Sequence, residues 1–598
     1  MKALITFLLI CFVARAQDLT QSANMVINAF NNDNIKNNHI TPYLLEIARN
    51  GHQLDSNIKA KLEELGFNFN QSLVSRGGAK RSESVGLDKF YDSGNFRIHY
   101  TTIGRNAVSG ADNNANNIPD YIENVSNILN FVAQKIRDEM GFFLPPGDGH
   151  YSNEYDNGGS NHFDIYVRQL SSNYYGYTQF EQYAQGNGDN ENTSEIIEKN
   201  AITSYLTIRN SYVNFNQNSE IENIQVTIAH EYFHSVQIGY DGWEKVWLLE
   251  ATAAWMEDKL FDDVNDIYQY MKDWFRYPYR SLDDSGNHHY GSFIFFEYIE
   301  QHMGGKDLIR NIFEFSVQND SYKKDGSHLA INKALSQNGY TFKQALNAMS
   351  VANLIMSSES SAGIYRYQDA SEYPVDGPTI YKTINFQSGA QNFVESTRLN
   401  RFGSQYIKII SKDPILVDLK NINGSNEDLQ LNAILKKNDH SYLVISNQSI
   451  NIDPTDLKSI HLSIVSKDTL NPDWSYGLTF KDGKRGTDAN LPISFNLSNP
   501  YPNPFNTDIS LSITVLEEIS LKIDIINISG RRVKTLHQGE LSPANYIYRW
   551  NAKDETEALV SSGVYFIKAD DGSNQEWIPI TLVTVSYTHL TLPTICSV

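Results

Sequence analysis

Cysteine is almost missing: the chain has two, Cys11 and Cys596. The first falls in an apparent export signal and the second in an aberrant tail. The mature protein is therefore expected to hold no disulfide and no thiolate metal ligand, and to rely on packing and bound ions. Runs of lysine and arginine are also missing. With 49 Lys+Arg against 70 Asp+Glu and a net charge of −21, neither nucleic acid nor an anionic membrane surface is expected as a partner. The acidity itself reads as solubility. No apolar run is long enough to span a bilayer as a helix. At 598 residues the chain is too long for one core, so about three or four domains are expected.

Met1–Ala16 reads as a signal peptide. Lys2 is its charged start, Ala3–Ala14 its apolar stretch, and Ala14-Arg15-Ala16 the small-x-small cleavage site before Gln17. Leu-Ile ahead of Cys11, in place of small residues, argues against a lipoprotein signal. The protein is expected to be secreted or displayed at the cell surface.

The chemistry concentrates in Ile221–Asp258. His230-Glu231-Tyr232-Phe233-His234 is an HExxH motif, flanked by the apolar stripe Ile224, Ile228 and Val236 and stopped by Gly239 and Asp241-Gly242. Four residues on a helix is about one turn, so both imidazoles face one way and can reach one Zn²⁺. Glu231 is placed to act as general base on a water there. A third ligand is expected at Glu250, sixteen positions after His234, on a second helix (WLLEATAAWMED) whose small residues allow close approach. Two histidines and one carboxylate leave the fourth position open, the pattern of a catalytic zinc site. Zinc would lower the pKa of a bound water to ~7 and polarise a scissile carbonyl. Glu257, two turns beyond Glu250, is expected to orient a ligand histidine, with a plain surface carboxylate as the alternative.

Other stretches support this centre. Gln17–Val85 is Asn-rich, with helical patterns near Asp18–Phe30 and Ser56–Leu65, and ends in a basic linker, Arg76-Gly-Gly-Ala-Lys80-Arg81. It reads either as a pro-segment covering the active site, cut near Lys80-Arg81, or as an ordinary helical subdomain. Phe90–Thr102, Phe163–Leu170, Tyr174–Phe180 and Ile202–Arg209 read as strands of a sheet whose edge could hold an extended peptide. Asp112–Glu123 places Asp112, Asn114, Asn116, the Ile118 carbonyl, Asp120 and Glu123 at the ligand positions of an EF-hand-type calcium loop, with Asn117 where glycine is usual. The alternative is a solvated Asn-rich loop. An oxyanion donor is expected near His288-His289-Tyr290. Tyr290 is the candidate, His288 and His289 are substitutes, and an aromatic core helix is the competing reading.

HEYFHSVQ with WLLEATAAWMED, NFRIHYTT, DNNANNIPDYIE and HHYGSFIFFEYI together resemble a family of secreted, gluzincin-like zinc metallopeptidases of myxobacteria and Bacteroidota-like bacteria, over about Phe90–Ser360. The resemblance implies His230, His234 and Glu250 as ligands and Glu231 as catalytic base. It implies no particular substrate and no oxyanion residue.

Beyond Ser360, short alternating runs separated by Asn, Asp and Gly read as a β-sandwich: Gln405–Ile410, Ile415–Leu419, Leu429–Leu435, Tyr442–Ile445, Ser459–Val465 and Tyr476–Phe480. Leu491–Val583 is a second β module. Its YPNPFN, ISGRRV, YRW and SGVYF landmarks resemble, in order, the C-terminal sorting domain of type IX secretion cargo. That implies an immunoglobulin-like fold, contact with the outer-membrane secretion machinery, and surface attachment or release. A stalk without a sorting role is the alternative. Val585–Val598 resembles a translated sequencing adapter and is excluded from fold reasoning, so the true C-terminus is expected to differ.

The expected organisation is 1–16 signal peptide, 17–88 N-terminal helical or pro-segment, 89–365 α+β zincin-like metallopeptidase domain, 366–488 β-sandwich, 489–584 Ig-like sorting domain and 585–598 artefact. The expected function is a secreted zinc metalloendopeptidase acting on protein or peptide. The rivals are a non-catalytic surface adhesin on a peptidase scaffold and a zinc hydrolase acting on something other than peptide.

Overall fold

The computed structural model describes residues 19–31, 39–76, 81–149, 156–170, 174–184, 192, 196–317, 327–422, 428–467, 473–485, 495–497, 500–515, 518–542, 544–572 and 575–583. The expected signal peptide, Lys80, both cysteines and the 585–598 tail lie outside them. The chain divides into two units, 1–276 with 282–334, and 277–281 with 335–598.

The first unit is built on a five-stranded sheet. Its strands are β1 (Lys89–Ser93), β2 (Phe96–Tyr100), β3 (Phe163–Arg168), β4 (Gly176–Tyr183) and β5 (Ile202–Arg209), in the order β1-β2-β3-β5-β4. The inner strands β2, β3 and β5 run parallel, and β1 and β4 close the two edges antiparallel. Every residue of β5 is buried, as expected of a parallel strand covered on both faces.

Nine helices are used below: α1 (residues 19–31), α2 (Thr41–Asn50), α3 (Ser56–Glu64), α4 (Asp120–Gln134), α5 (Glu220–Asp241), α6 (Val246–Leu260), α7 (Met271–Arg276), α8 (Asn287–Gly291) and α9 (Phe293–Met303). The HExxH helix α5 starts at a capping box. The Ser219 hydroxyl accepts the Glu222 N–H, and the Glu222 carboxylate accepts the Ser219 N–H. It lies against β5 and α6 and also meets the edge strand β4. Gly176 permits that approach: a Cβ there would sit 2.9 Å from both the Thr207 carbonyl and the Thr227 methyl.

Arg76 and residues 81–84 differ from the flexible basic linker expected there, and residues 77–80 lie outside the described residues. Arg76 pairs with Glu83, whose carboxylate also accepts the Tyr177 and Tyr205 hydroxyls. Arg81, 2 % exposed, reaches Asp148 at 2.7 Å, Asp164 at 2.5 Å and Glu181 at 2.7 Å. These partners lie 67 to 100 residues away, so no local pattern reveals them. A protease that reads the Arg81 side chain has no access to it in this state.

One guanidinium facing three buried carboxylates leaves the cluster rich in negative charge. Burial pushes Glu181 up to about 8 and Asp148 up to about 6, against the pull of Arg81. A raised carboxyl keeps its proton in the fold while the unfolded chain has released it. This contribution is therefore full below about pH 4.5 and is lost as pH rises to about 8. Thermal unfolding of the first unit should occur at lower temperature at pH 8 than at pH 5, and Glu181→Gln should flatten that slope. An unchanged slope in the variant would reject the assignment.

In the second unit, a five-stranded and a four-stranded sheet enclose one core, with Ile407 and Leu462 on one side and Val417, Trp474 and Leu478 on the other. All six expected runs fall in strands. Ile380–Asn385, Asn392–Asn400 and Ser449–Ile452 were not anticipated. The helix Phe342–Ile355 packs on this sandwich: the Tyr406 hydroxyl donates to the Ser350 carbonyl at 2.9 Å, and the Asn432 amide to Asn347 at 2.8 Å. Residues 335–365 thus belong with the sandwich rather than with the domain before it. The last module is a three-stranded and a four-stranded sheet around Phe505, Ile523, Trp550 and Ile567. Among the described residues no helix is long and apolar enough to cross a membrane.

Candidate metal centre

His230 and His234 lie on α5 and Glu250 on α6. The two rings stand with centroids 4.7 Å apart. The His230 Nε2 lies 3.3 Å from one oxygen of Glu250, and the His234 Nε2 lies 3.3 Å from the other. One nitrogen or oxygen from each of the three falls within 4.8 Å of the others. All three side chains are buried. Ala251, Thr252, Ala253 and Ala254 beside Glu250 are buried too, and α6 packs against α5, with Thr252 meeting Gln237.

The outer ring nitrogens are fixed by neighbours. His230 Nδ1 meets Glu257 at 2.7 Å, and His234 Nδ1 meets the Gln237 side-chain oxygen at 2.8 Å. Gln237 in turn donates to the Leu249 carbonyl and to Thr252, each at 2.8 Å. Both Nε2 atoms are thereby turned inward.

The buried groups are electrostatically coupled. Burial alone would lower His230, but Glu250 and Glu257 override it and hold it well above its ordinary value. Burial would raise Glu250, and the two histidines hold it well below. Burial pushes Glu257 up to about 7. The His234 Nε2 is buried 3.3 Å from Glu250 without an aligned hydrogen bond, an arrangement a metal would complete. Two inward imidazoles and one carboxylate fit zinc. Replacing Glu257 by Gln should weaken zinc binding by about 10–100-fold, measured by competition with a chromophoric chelator. An unchanged affinity would make Glu257 a bystander.

Glu231 points to the edge strand. Its Oε2 accepts the Thr178 hydroxyl of β4 at 2.8 Å and the Thr41 hydroxyl of α2 at 2.9 Å. The Thr178 N–H donates to the Thr41 hydroxyl at 3.1 Å. The edge strand beside the centre is therefore β4, which sequence patterning left undecided. Tyr290 on α8 is buried 6.1 Å from the His230 ring. Burial, then Glu250, raises its hydroxyl well above the ordinary value. His289 is buried beside Glu250, His230 and His234, and burial pushes it down to about 4. His288 stacks on Trp274 at 5.8 Å. Tyr290 and His289 thus stand at the centre.

Several residues here were not anticipated: Gln237, Thr178, Tyr270, Thr41 and His39. The His39 ring lies 4.5 Å from Tyr290 and 5.4 Å from His230, and its Nε2 meets the Tyr270 hydroxyl at 2.8 Å. The helix that follows, α2, was not expected either. Pro42 at its start, followed by Leu44, Leu45, Ile47 and Ala48 on a buried face, is the signal that could have found it.

The expected calcium loop runs into the first turn of α4, with Asn113–Asn117 exposed and Asp112, Ile118, Asp120 and Glu123 half-buried. Asn117 has φ 71°, the left-handed conformation such a loop needs at that position. The Asp112 carboxylate accepts the Asn116 and Asn117 N–H groups, and the Asn114 and Asn116 amides donate to Glu123. Asp120 accepts from Asn113, and the Ile118 N–H donates to Asn116. Asp112, Asn114, Asn116 and Glu123 are joined in one network, while Asp120 faces Asn113.

Residues 197–326, which include His230, Glu231, His234, Glu250, Glu257 and Tyr290, match a family of unknown function, DUF6055. The expected resemblance to a named peptidase family thus meets a family with no assigned activity. Residues 499–580 match the secretion system C-terminal sorting domain. That supports the type IX sorting reading and implies contact with secretion machinery and a secreted or cell-surface destination. No curated protein matches the chain. Among solved structures, PorZ, a surface component of the type-IX secretion system of Porphyromonas gingivalis, shares 20% identity over 18% of this chain and 14% of its own, with a TM-score of 0.12. Dimeric latent PorU of the same organism shares 12% over 29% of this chain and 19% of its own, with a TM-score of 0.18. The chain spans less than a fifth of either protein, and likenesses at such scores carry no argument.

Proposed function

We propose that the chain is an exported zinc metalloendopeptidase. The observation that carries this reading is the meeting of His230, His234 and Glu250 around one buried point, with Glu231 beside it and an antiparallel edge strand alongside. Zinc held there would polarise a peptide carbonyl and acidify a water molecule. Glu231 is the residue that would take a proton from the attacking water and give it to the leaving amine. Tyr290 or His289 donates to the developing oxyanion. The outer main-chain edge of β4 would hold an extended substrate by strand addition. The loop from Asp112 to Glu123 is a calcium site in this reading, with a structural role remote from the chemistry.

The test uses the full chain, both as wild type and as a His39→Ala variant, each beside a Glu231→Gln counterpart. One zinc per chain should bind in all four, and His230→Ala should lose it. A mixed peptide library should be cleaved only where Glu231 is present. Zinc binding without cleavage in either background would favour the adhesin reading. Absence of zinc would remove the enzymatic reading altogether.

A further inference from the structure

We propose that His39 is a fourth ligand of the metal centre and that residues 39–50 hold the enzyme latent by standing where substrate must lie. This rests on the metallopeptidase reading and adds its regulation. Three occupations, each separate in kind, support it.

The first is the metal position. His39, His230 and Glu231 each offer a ligand atom within 4.8 Å of the others, so His39 stands on the side of His230 where the catalytic base also lies. The Tyr270 hydroxyl engages one nitrogen of its ring, the arrangement in which a ligand histidine is oriented for its other nitrogen to meet a metal. The three expected ligands leave one position open for water or substrate. His39 fills it.

The second is the base. The Thr41 hydroxyl donates to Glu231 Oε2, the oxygen that the Thr178 hydroxyl also approaches while sharing its one hydrogen with the Glu231 carbonyl. A carboxylate oxygen already accepting the Thr41 hydroxyl is poorly placed to take a proton from water. The third is the edge strand. The Thr178 N–H of β4 is a main-chain donor next to the centre, and Thr41 takes it. An extended substrate adding to β4 needs that kind of group.

The segment is held firmly in place. Leu44, Leu45, Ile47 and Ala48 of α2 are all buried, and α2 lies across β4. Arg49 donates to the Gly242 carbonyl at 2.5 Å and to the Glu244 carbonyl at 2.9 Å, just past the end of the metal helix. The blocking groups belong to the same chain, so their effective concentration is high and a free peptide competes poorly with them. An ordinary supporting helix would need none of the three contacts. A segment that must be displaced or removed before catalysis would need all of them.

The experiment compares the full-length wild type with His39→Ala, Thr41→Val and His39→Ala/Glu231→Gln. Zinc affinity is read by chelator competition, and activity by cleavage of a mixed peptide library. His39→Ala should weaken zinc binding by at least about tenfold and raise cleavage by about tenfold or more, as the competent fraction grows. Thr41→Val should raise cleavage and leave zinc affinity unchanged, and the double variant should cleave nothing. Wild-type zinc affinity in His39→Ala would refute the ligand assignment. Cleavage by the wild type as fast as by both single variants would refute latency. If His39→Ala loosens zinc but no variant cleaves, His39 is a ligand and the peptidase reading is what fails.

Discussion

Glu231→Gln should lower the turnover number by about 10²–10⁴-fold, the usual weight of a general base, and leave zinc in place. The amide keeps the size and the acceptor oxygen of the carboxylate. It can still hold the Thr178 hydroxyl, which sits 2.8 Å from that oxygen. What it cannot do is take and return a proton. The loss should therefore fall on kcat with KM little changed, because Glu231 is not among the three ligands that meet around Glu250. The measurement is steady-state kinetics in the His39→Ala background, with the zinc dissociation constant taken in parallel. A kcat within about threefold of the parent would remove Glu231 from the chemistry, since even the weak end of base catalysis is larger.

Arg81→Ala should cost the first unit about 3–5 kcal/mol, the range for removing one partner of a buried ionic cluster. The guanidinium is 2 % exposed and spans three carboxylates at once. Without it Asp148, Asp164 and Glu181 face one another, with the His99 ring 2.7 Å from Asp164. Proton uptake by the carboxylates would relieve part of the cost, so the loss should be larger at pH 8 than at pH 5. Arg81→Lys should recover little, because an ammonium is a point charge and cannot fork to three partners. Hydrogen exchange of the β5 amides would follow the first unit without interference from the second. A loss below about 1 kcal/mol at pH 8 would mean that the carboxylates are already neutral or solvated.

These two experiments probe residues that differ in how visible they are along the chain. Glu231 stands out because its motif is local: helix periodicity alone brings His230 and His234 to one face and puts Glu231 beside them. Glu250 follows almost as directly, since α6 begins five residues after α5 ends and returns along it. Glu257 is one step less certain, and its bond to His230 needed the packing of the two helices to be known. Arg81 carried the opposite signal. In a Gly-rich basic stretch it reads as linker, and only the fold surrounds it with acids.

Local rules therefore determined the HExxH helix, the helix bearing Glu250, the run of β modules and the sorting landmarks near the C-terminus. Each depends on residues within a turn, a strand or a short motif, where backbone geometry alone dictates what faces what. Tertiary structure decided the rest. It made β4 the edge strand, because register and strand order arise from pairings between distant segments. It placed Tyr290 and His289, rather than His288, at the centre. It brought Thr41 to Glu231 across 190 residues and set His39 against His230. No periodicity encodes such a contact: it exists because burial of α2 on β4 carries the residues just before it to the metal centre.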